Sequence, residues 1–356
     1  MDLQNNRLSD ILWVDINQDQ SCYIVGTEFG FRVYSIDPFK LTFSRTFEGA
    51  GGLGLVTMLY RSNILAMVGG GRNPRFQPHK VMLWDDRHPR PIAELSFRTT
   101  VRAVKLRRDM IVVVIESKVY LYRFSDLVLI DHIETVSNSK GLACLSSGQD
   151  RAILACPGQQ PGKVLVVTYD SRLAQEDTNI ASPPACRLKT TLITAHEAPL
   201  AALGLSFDGS RLASASEKGT LVRVYDTASG QQLHELRRGV DRADIYSLCF
   251  NMTSEWLAVS SDKGTVHLFT LRQGSQNQKS SLSFLGGALP SYFLSEWSFA
   301  QFRVPDYRCI CAFGQDPFTI ICLCADGSYY KARFDPVLGG EMQRVDYARF
   351  DGTANN

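Results

Sequence analysis

The chain has 356 residues, is 44% hydrophobic and 21% charged, and carries a formal net charge of +2 at pH 7. This is the composition of a soluble globular protein with material for a large core, and the near-neutral balance excludes a generic nucleic-acid binder, which carries a strong basic excess. No run of about 18 or more apolar residues occurs, so no membrane span is expected; the first seven residues, Met-Asp-Leu-Gln-Asn-Asn-Arg, lack an apolar stretch, so no secretory signal is expected.

In chain order, residues near 11–16, 22–27, 30–36 and 41–47 read as four strands separated by short turns. The third begins Gly30-Phe-Arg-Val-Tyr-Ser-Ile and has six counterparts. They are His79-Lys-Val-Met-Leu-Trp-Asp, Ser117-Lys-Val-Tyr-Leu-Tyr-Arg, Gly162-Lys-Val-Leu-Val-Val-Thr, Gly219-Thr-Leu-Val-Arg-Val-Tyr-Asp, Gly264-Thr-Val-His-Leu-Phe-Thr and Gly327-Ser-Tyr-Tyr-Lys-Ala-Arg. Successive starts lie 49, 38, 45, 57, 45 and 63 residues apart. An apolar run precedes each copy across a turn, as in Leu212-Ala-Ser-Ala-Ser before Gly219 and Leu257-Ala-Val-Ser-Ser before Gly264. A repeated unit of about 40–50 residues with four antiparallel strands is the signature of a propeller blade. No amphipathic helix of about 12 or more residues interrupts it. The expected fold is all-β: one seven-bladed β-propeller of four-stranded antiparallel blades spanning residues 1–356. The last blade carries four strands of its own near 309–314, 318–324, 328–334 and 341–350. The ring is therefore expected to close without strand exchange between first and last blade.

Two connections are long. Residues 170–184 are polar, contain Pro-Pro and read as a surface loop. Residues 272–297 of blade six begin polar and then become Leu-Ser-Phe-Leu-Gly-Gly-Ala-Leu-Pro-Ser-Tyr-Phe-Leu. Loops normally face water. This one either folds back on the ring or enters a lipid interface, where aromatic and leucine side chains partition well.

Arg237 and Arg238, in Leu-Arg-Arg-Gly at 236–239, end a predicted strand. Neighbouring strand residues point to opposite faces, so the two guanidiniums are expected in the two grooves beside their strand. Gly239 is expected to let the backbone turn sharply there. Guanidinium suits a bidentate grip on phosphate. Alone, Arg-Arg-Gly reads as a solvated basic turn. Here matching polar sets flank it: Ser214-Ala-Ser216-Glu-Lys218-Gly-Thr220-Leu-Val-Arg223 and Ser260-Ser261-Asp-Lys263-Gly-Thr265-Val-His267, with His196 ahead of blade five. An arginine, hydroxyls, a lysine and a histidine in each groove suit a phosphate monoester on a hydroxylated ring.

The densest basic run, Arg98, Arg102, Lys105, Arg107 and Arg108, reads as one solvated strand edge. Nine cysteines without framework spacing fit a reducing compartment. The pairs Cys309/Cys311 and Cys322/Cys324 either hold zinc or fill alternate core positions; the core reading is expected, and no metal or cofactor. Gly-x-Ser-x-Gly, P-loop and His-Glu-x-x-His patterns are missing, so an enzyme is not expected. A protein-scaffold propeller is the rival reading, and it leaves the duplicated polar sets without a role.

The chain resembles the PROPPIN family, WD-repeat-like propellers that bind phosphoinositides and are called WIPI proteins in animals. Leu-Arg-Arg-Gly stands where PROPPINs carry Phe/Leu-Arg-Arg-Gly. The likeness also runs through Asn17-Gln-Asp19-Gln-Ser-Cys, Lys80-Val-Met-Leu-Trp-Asp-Asp, Gly219-Thr-Leu-Val-Arg-Val-Tyr-Asp-Thr, Ser283-Phe-Leu and Ser295-Glu-Trp-Ser-Phe-Ala. Leu236 in place of phenylalanine is similar to the third and fourth WIPI paralogues. The resemblance implies phosphatidylinositol 3-phosphate and the 3,5-bisphosphate as ligands. It implies a first site of Arg237 with His196, Ser216, Thr220 and Arg223, and a second of Arg238 with Ser261, Thr265 and His267. It implies insertion of the blade-six loop into the bilayer through Leu282, Phe284, Leu285, Leu289, Tyr292 and Phe293, shallow because of Gly286-Gly287. It further implies recruitment of a large autophagy lipid-transfer protein, with Asn17 and Asp19 as a contact. The protein is then a monomer in solution. The resemblance also implies a cytoplasmic protein recruited peripherally to preautophagosomal (phagophore), endosomal and lysosomal or vacuolar membranes.

Overall fold

The computed structural model describes residues 10–148, 151–170, 186–272, 277, 295–305 and 308–351. Seven antiparallel sheets follow one another around an axis. Blade one is β1 (Ile11–Ile16), β2 (Cys22–Thr27), β3 (Gly30–Ser35) and β4 (Lys40–Thr46). Blade two is β5 (Leu53–Met58), β6 (Ile64–Gly69), β7 (Lys80–Asp85) and β8 (Arg90–Ser96). Blade three is β9 (Ala103–Leu106), β10 (Met110–Val114), β11 (Lys118–Arg123) and β12 (Leu129–Glu134). Blade four is β13 (Cys144–Leu145), β14 (Ala152–Pro157), β15 (Lys163–Tyr169) and β16 (Arg187–Thr194). Blade five is β17 (Leu200–Leu205), β18 (Arg211–Ser216), β19 (Leu221–Asp226) and β20 (Gln232–Arg237). Blade six runs β21 (Ile245–Phe250), β22 (Trp256–Ser261) and β23 (Thr265–Thr270); after the long connection come β24 (Glu296–Trp297) and β25 (Ala300–Arg303). Blade seven is β26 (Cys309–Phe313), β27 (Thr319–Cys324), β28 (Ser328–Arg333) and β30 (Gln343–Arg349); the short β29 (Gly340–Glu341) lies between the last two in the chain but joins the blade-six sheet.

The order of strands within a blade follows from their side chains. Second strands such as Met-Ile-Val-Val-Val (β10) are apolar throughout and buried on both faces. Fourth strands such as Lys-Leu-Thr-Phe-Ser-Arg-Thr (β4) face solvent. First strands of neighbouring blades pack together and line the axis. Among the described residues the buried apolar side chains form seven clusters, and each joins one blade to the next. The last of these, between blades seven and one, closes the ring with β4 and β30 each left in its own blade. Closure adds specific bonds to that packing. Tyr34 donates to the Phe350 carbonyl at 3.1 Å, Tyr329 to the Ile36 carbonyl at 2.9 Å, and Lys331 pairs with Asp37 at 2.8 Å.

At the axis, two glutamines of the β1–β2 turn tie distant blades. The Gln18 amide donates to the Met58 and Leu106 carbonyls, both at 2.9 Å. Gln20 donates to the Phe250 carbonyl and accepts from the Phe313 amide, both at 2.7 Å.

Two features depart from the four-stranded expectation. β24 pairs in parallel with β20 (Leu236 opposite Glu296, Arg237 opposite Trp297), and β29 pairs in parallel with β25. Blades five and six therefore have five strands. Each addition covers an outer edge whose backbone groups would otherwise be unpaired. The basic run of blade three departs from a solvated edge at one residue, Arg107; Arg98 and Arg108 are exposed and Arg102 and Lys105 half-buried. Arg107 is buried, pairs with Asp109 at 2.8 Å and donates to the Arg151 carbonyl at 2.6 Å, while Arg102 pairs with Glu116 at 2.9 Å. Cys309 lies opposite Cys324, and Cys311 opposite Cys322, within the core between blades six and seven. Among the described residues no group of three or more His, Cys, Asp or Glu could hold a metal ion.

Removing the closure hydroxyls leaves buried carbonyls without donors. Tyr34→Phe and Tyr329→Phe are each expected to lower stability by about 1–2 kcal/mol, measured by chemical denaturation. Unchanged midpoints in both would mean that apolar packing alone closes the ring.

Candidate functional site

The register of blade five decides where its arginines go. Leu221 lies opposite Arg237 and Arg223 opposite Glu235; Ser214 lies opposite Arg223. Cross-strand partners share a face, so Arg237, Glu235, Arg223, Ser214 and Ser216 lie on one side of the sheet. That side looks toward blade four. Arg223 pairs with Glu235 at 2.9 Å and donates to the Ala195 carbonyl at 2.6 Å, and the His196 Nε2 sits 3.0 Å from the Ser214 hydroxyl. The opposite side, with Val222, Val224 and Leu236, packs on Ile245, Val259 and Phe269 of blade six.

Arg238 continues that second side. Its Nε donates to the Gly219 carbonyl at 3.0 Å, and its Nη2 donates to the Asp241 carbonyl. On blade six, His267 lies opposite Val259, which turns His267, Thr265 and Ser261 toward blade five. The tandem arginines thus enter different grooves. Both arginines are buried, 5% and 6% exposed. Burial lowers the Arg238 pKa, against the pull of Asp262 and Asp241.

Both imidazoles are held neutral. His196 is pushed down to about 4 by burial and then by the Arg223 charge. His267 is pushed down to about 4 by burial and then by Arg238. The His267 Nδ1 lies 3.3 Å from the Ser298 hydroxyl. Each groove therefore offers a cation, hydroxyls and an uncharged imidazole.

Thr220 lies in the turn ahead of β19, and its carbonyl accepts the Arg238 amide at 3.0 Å. The sharp turn at this rim belongs to Gly219, with φ +63°, where a Cβ would lie 1.8 Å from the Ala243 carbonyl oxygen. Gly239, expected to do this work, has open space around it and no positive φ.

Sequence reasoning missed three participants. Ser295 accepts from the Arg237 Nε at 2.8 Å, and the Trp297 ring centroid lies 6.0 Å from the guanidinium. Both arrive on the returning end of the blade-six connection, and nothing in their spacing signals contact with blade five. The third is Arg303. It lies opposite Thr265 in blade six as Arg237 lies opposite Leu221 in blade five, so aligning the blades by hairpin register would have found it. Arg303 is exposed and shares the face of Thr265 and His267.

The base of the blade-six connection is clamped. Asn277 holds the Thr270 amide and carbonyl at 3.0 and 2.8 Å and reaches Glu296 at 2.5 Å; Glu296 also meets His234 at 3.2 Å. Leu282, Phe284, Leu285, Leu289, Tyr292 and Phe293 lie outside the described residues, as does most of the polar loop expected at 170–184. Far from the arginines, Asn17 is buried, and its side-chain oxygen accepts the Ser21 and Cys22 amides at 2.9 and 3.0 Å. It builds a turn that presents Asp19, which accepts from the Ser21 amide at 3.1 Å.

Fold and rim together define a seven-bladed propeller with two cation-bearing clefts flanking one strand. The PROPPIN family model matches residues 11–313. Autophagy-related protein 18e of Arabidopsis thaliana is 40% identical over 96% of this chain and 88% of its own length. SVP1-like protein 2 of Pichia angusta is 38% identical over 83% of this chain and 81% of its own. The Kluyveromyces lactis Hsv2 structure superposes with a TM-score of 0.76 at 24% identity, over 96% of this chain and 99% of that one. A structure of KlAtg21 with the coiled-coil of AgAtg16 gives a TM-score of 0.75 at 21% identity, over 96% and 99%. The chain belongs to the PROPPIN family, the phosphoinositide-binding propellers of autophagy, which act as non-enzymatic scaffolds.

The neutral histidines give a pH signature. Between about 4 and the ordinary 6.5, the unfolded chain binds protons that the folded protein does not, so stability falls as pH drops through this window. Each histidine is expected to contribute on the order of 2 kcal/mol to that fall. The double variant His196→Asn/His267→Asn is expected to show a shallower loss in denaturation measured from pH 7 to pH 4, and an unchanged slope would mean both imidazoles are hydrated.

Proposed function

We propose that the two grooves bind the head groups of phosphatidylinositol 3-phosphate and phosphatidylinositol 3,5-bisphosphate. Arg237 serves the first with His196, Ser216, Thr220 and Arg223. Arg238 serves the second with Ser261, Thr265 and His267, joined by Arg303. The observation that carries this reading is the delivery of consecutive guanidiniums to opposite faces of one blade. Charge-assisted bonds from arginine hold phosphate, and hydroxyls and neutral imidazoles hydrogen-bond ring hydroxyls and phosphate oxygens without adding charge.

Two head-group contacts on one rigid edge act at high effective concentration, so avidity exceeds either affinity. Residues 281–294 add a hydrophobic term by entering the lipid interface. The ring then stands on its edge, and the face bearing Asp19, positioned by Asn17, remains free to recruit a lipid-transfer protein of autophagy. KlAtg21, a propeller of the same fold, has been solved with a coiled-coil partner, which supports a ring of this kind carrying a protein partner. The protein works as a monomer in solution and is recruited from the cytoplasm to phagophore, endosomal and lysosomal or vacuolar membranes.

Flotation with liposomes containing phosphatidylinositol 3-phosphate tests the assignment. Arg237→Thr/Arg238→Thr is expected to abolish flotation with an unchanged circular dichroism spectrum, and each single change to weaken it partly. A double variant that still floats would refute the assignment. Deletion of residues 281–294 is expected to weaken flotation without affecting binding of a soluble inositol phosphate.

A further inference from the structure

The turn between β28 and β29 in blade seven pushes two aliphatic side chains into solvent. Val337 is 69% and Leu338 82% exposed, and Leu338 is the most exposed large hydrophobic side chain among the described residues. Single exposed aliphatics are ordinary. Two in a row on a turn that is fixed from every side are not. The Asp335 carboxylate accepts the Val337 and Leu338 amides at 2.8 and 2.9 Å. Gly339 and Gly340 take φ values of +63° and +84°. Gly339 lies so tightly on blade six that a Cβ would come within 2.3 Å of the Phe299 carbonyl oxygen. The Gly340 amide donates to that same carbonyl at 2.9 Å, and Met342, buried just beyond, donates its amide to the Gln301 carbonyl at 2.8 Å. The tip therefore cannot fold its side chains back onto the ring.

Its position indicates what covers it. β29 is the outermost strand of the blade-six sheet, so the tip stands on the perimeter. It pairs with β25, whose Arg303 lies opposite Thr265 of the second groove. Gly340 faces Ala300, three residues from Arg303, a separation of roughly 10 Å along a strand. Arg333 and Arg344 are exposed close to the tip in sequence, Arg333 meeting Asp316 at 3.3 Å, and Asp335 and Glu341 are exposed carboxylates of the turn itself. Exposed aliphatic side chains on the same perimeter as the arginine-bearing grooves suit the boundary between acyl chains and head groups.

We infer that Val337 and Leu338 form a second hydrophobic wedge, which enters the lipid interface when the neighbouring groove holds its head group. The wedge rests on the phosphoinositide reading of Arg237 and Arg238. It belongs to the rigid ring, separate from residues 281–294.

Affinity for phosphatidylcholine vesicles containing phosphatidylinositol 3-phosphate, compared with affinity for soluble inositol 1,3-bisphosphate, tests it. Val337→Asp/Leu338→Asp is expected to weaken vesicle binding about five- to tenfold and to leave binding of the soluble head group unchanged. Unchanged vesicle affinity would overturn the wedge and leave the phosphoinositide sites standing, with the tip then a protein contact. Retention of vesicle binding by Arg237→Thr/Arg238→Thr would overturn the reading beneath it, and the wedge with it. Leu338→Trp supplies a direct readout: its emission is expected to shift to the blue with these vesicles and not with the soluble head group. Emission that stays unshifted on the vesicles overturns the wedge.

Discussion

On a β-strand, neighbouring side chains cannot share a face. Everything at the rim follows from that constraint acting on Arg237 and Arg238. One guanidinium joins Arg223, Ser216 and His196 on the side toward blade four, and the other joins His267 and Ser261 on the side toward blade six. A shift of register by one residue would exchange the two faces and bury charge where Leu236 now packs. The interblade clusters fix that register, because apolar residues of one parity in blade five, such as Val222, Val224 and Leu236, pack against blade six. The site is thus a by-product of core packing: apolar residues on one parity force the arginines to divide.

Rigidity follows from the same packing. Interblade clusters, the closure bonds of Tyr34, Tyr329 and Lys331, and the axial ties of Gln18 and Gln20 join each blade to its neighbours. Two grooves carried by adjacent blades therefore keep a constant separation. A flexible pair of weak sites loses much of its avidity to linker entropy, whereas a stiff pair retains it. The desolvated imidazoles fit this picture, since their environment is set before any ligand arrives.

Much of this was legible in the sequence, and the limits have physical causes. The seven repeats announce themselves because third strands recur with turn residues ahead of them. The opposed arginines can be read from strand parity alone. Two-residue strands such as β24 and β29 have no periodicity to detect, so the fifth strands of blades five and six were invisible. Ser295 and Trp297 reach Arg237 through a contact spanning nearly sixty residues of chain, and composition does not encode such a return path. Gly239 drew attention because it follows the arginines, yet Gly219 bears the strain, as only the crowding by Ala243 reveals. Arg107 looked solvated because its partners, Asp109 and the Arg151 carbonyl, come from a tight turn and a neighbouring blade.

The clamp of Asn277, Glu296, His234 and Thr270 has an architectural consequence. It fixes both feet of the blade-six connection to blades five and six before the apolar stretch begins and after it ends. The span between those feet can lengthen, shorten or change its chemistry without any strain reaching the blades. The ring and the connection it carries are thereby decoupled, so that one can diverge while the other keeps its packing.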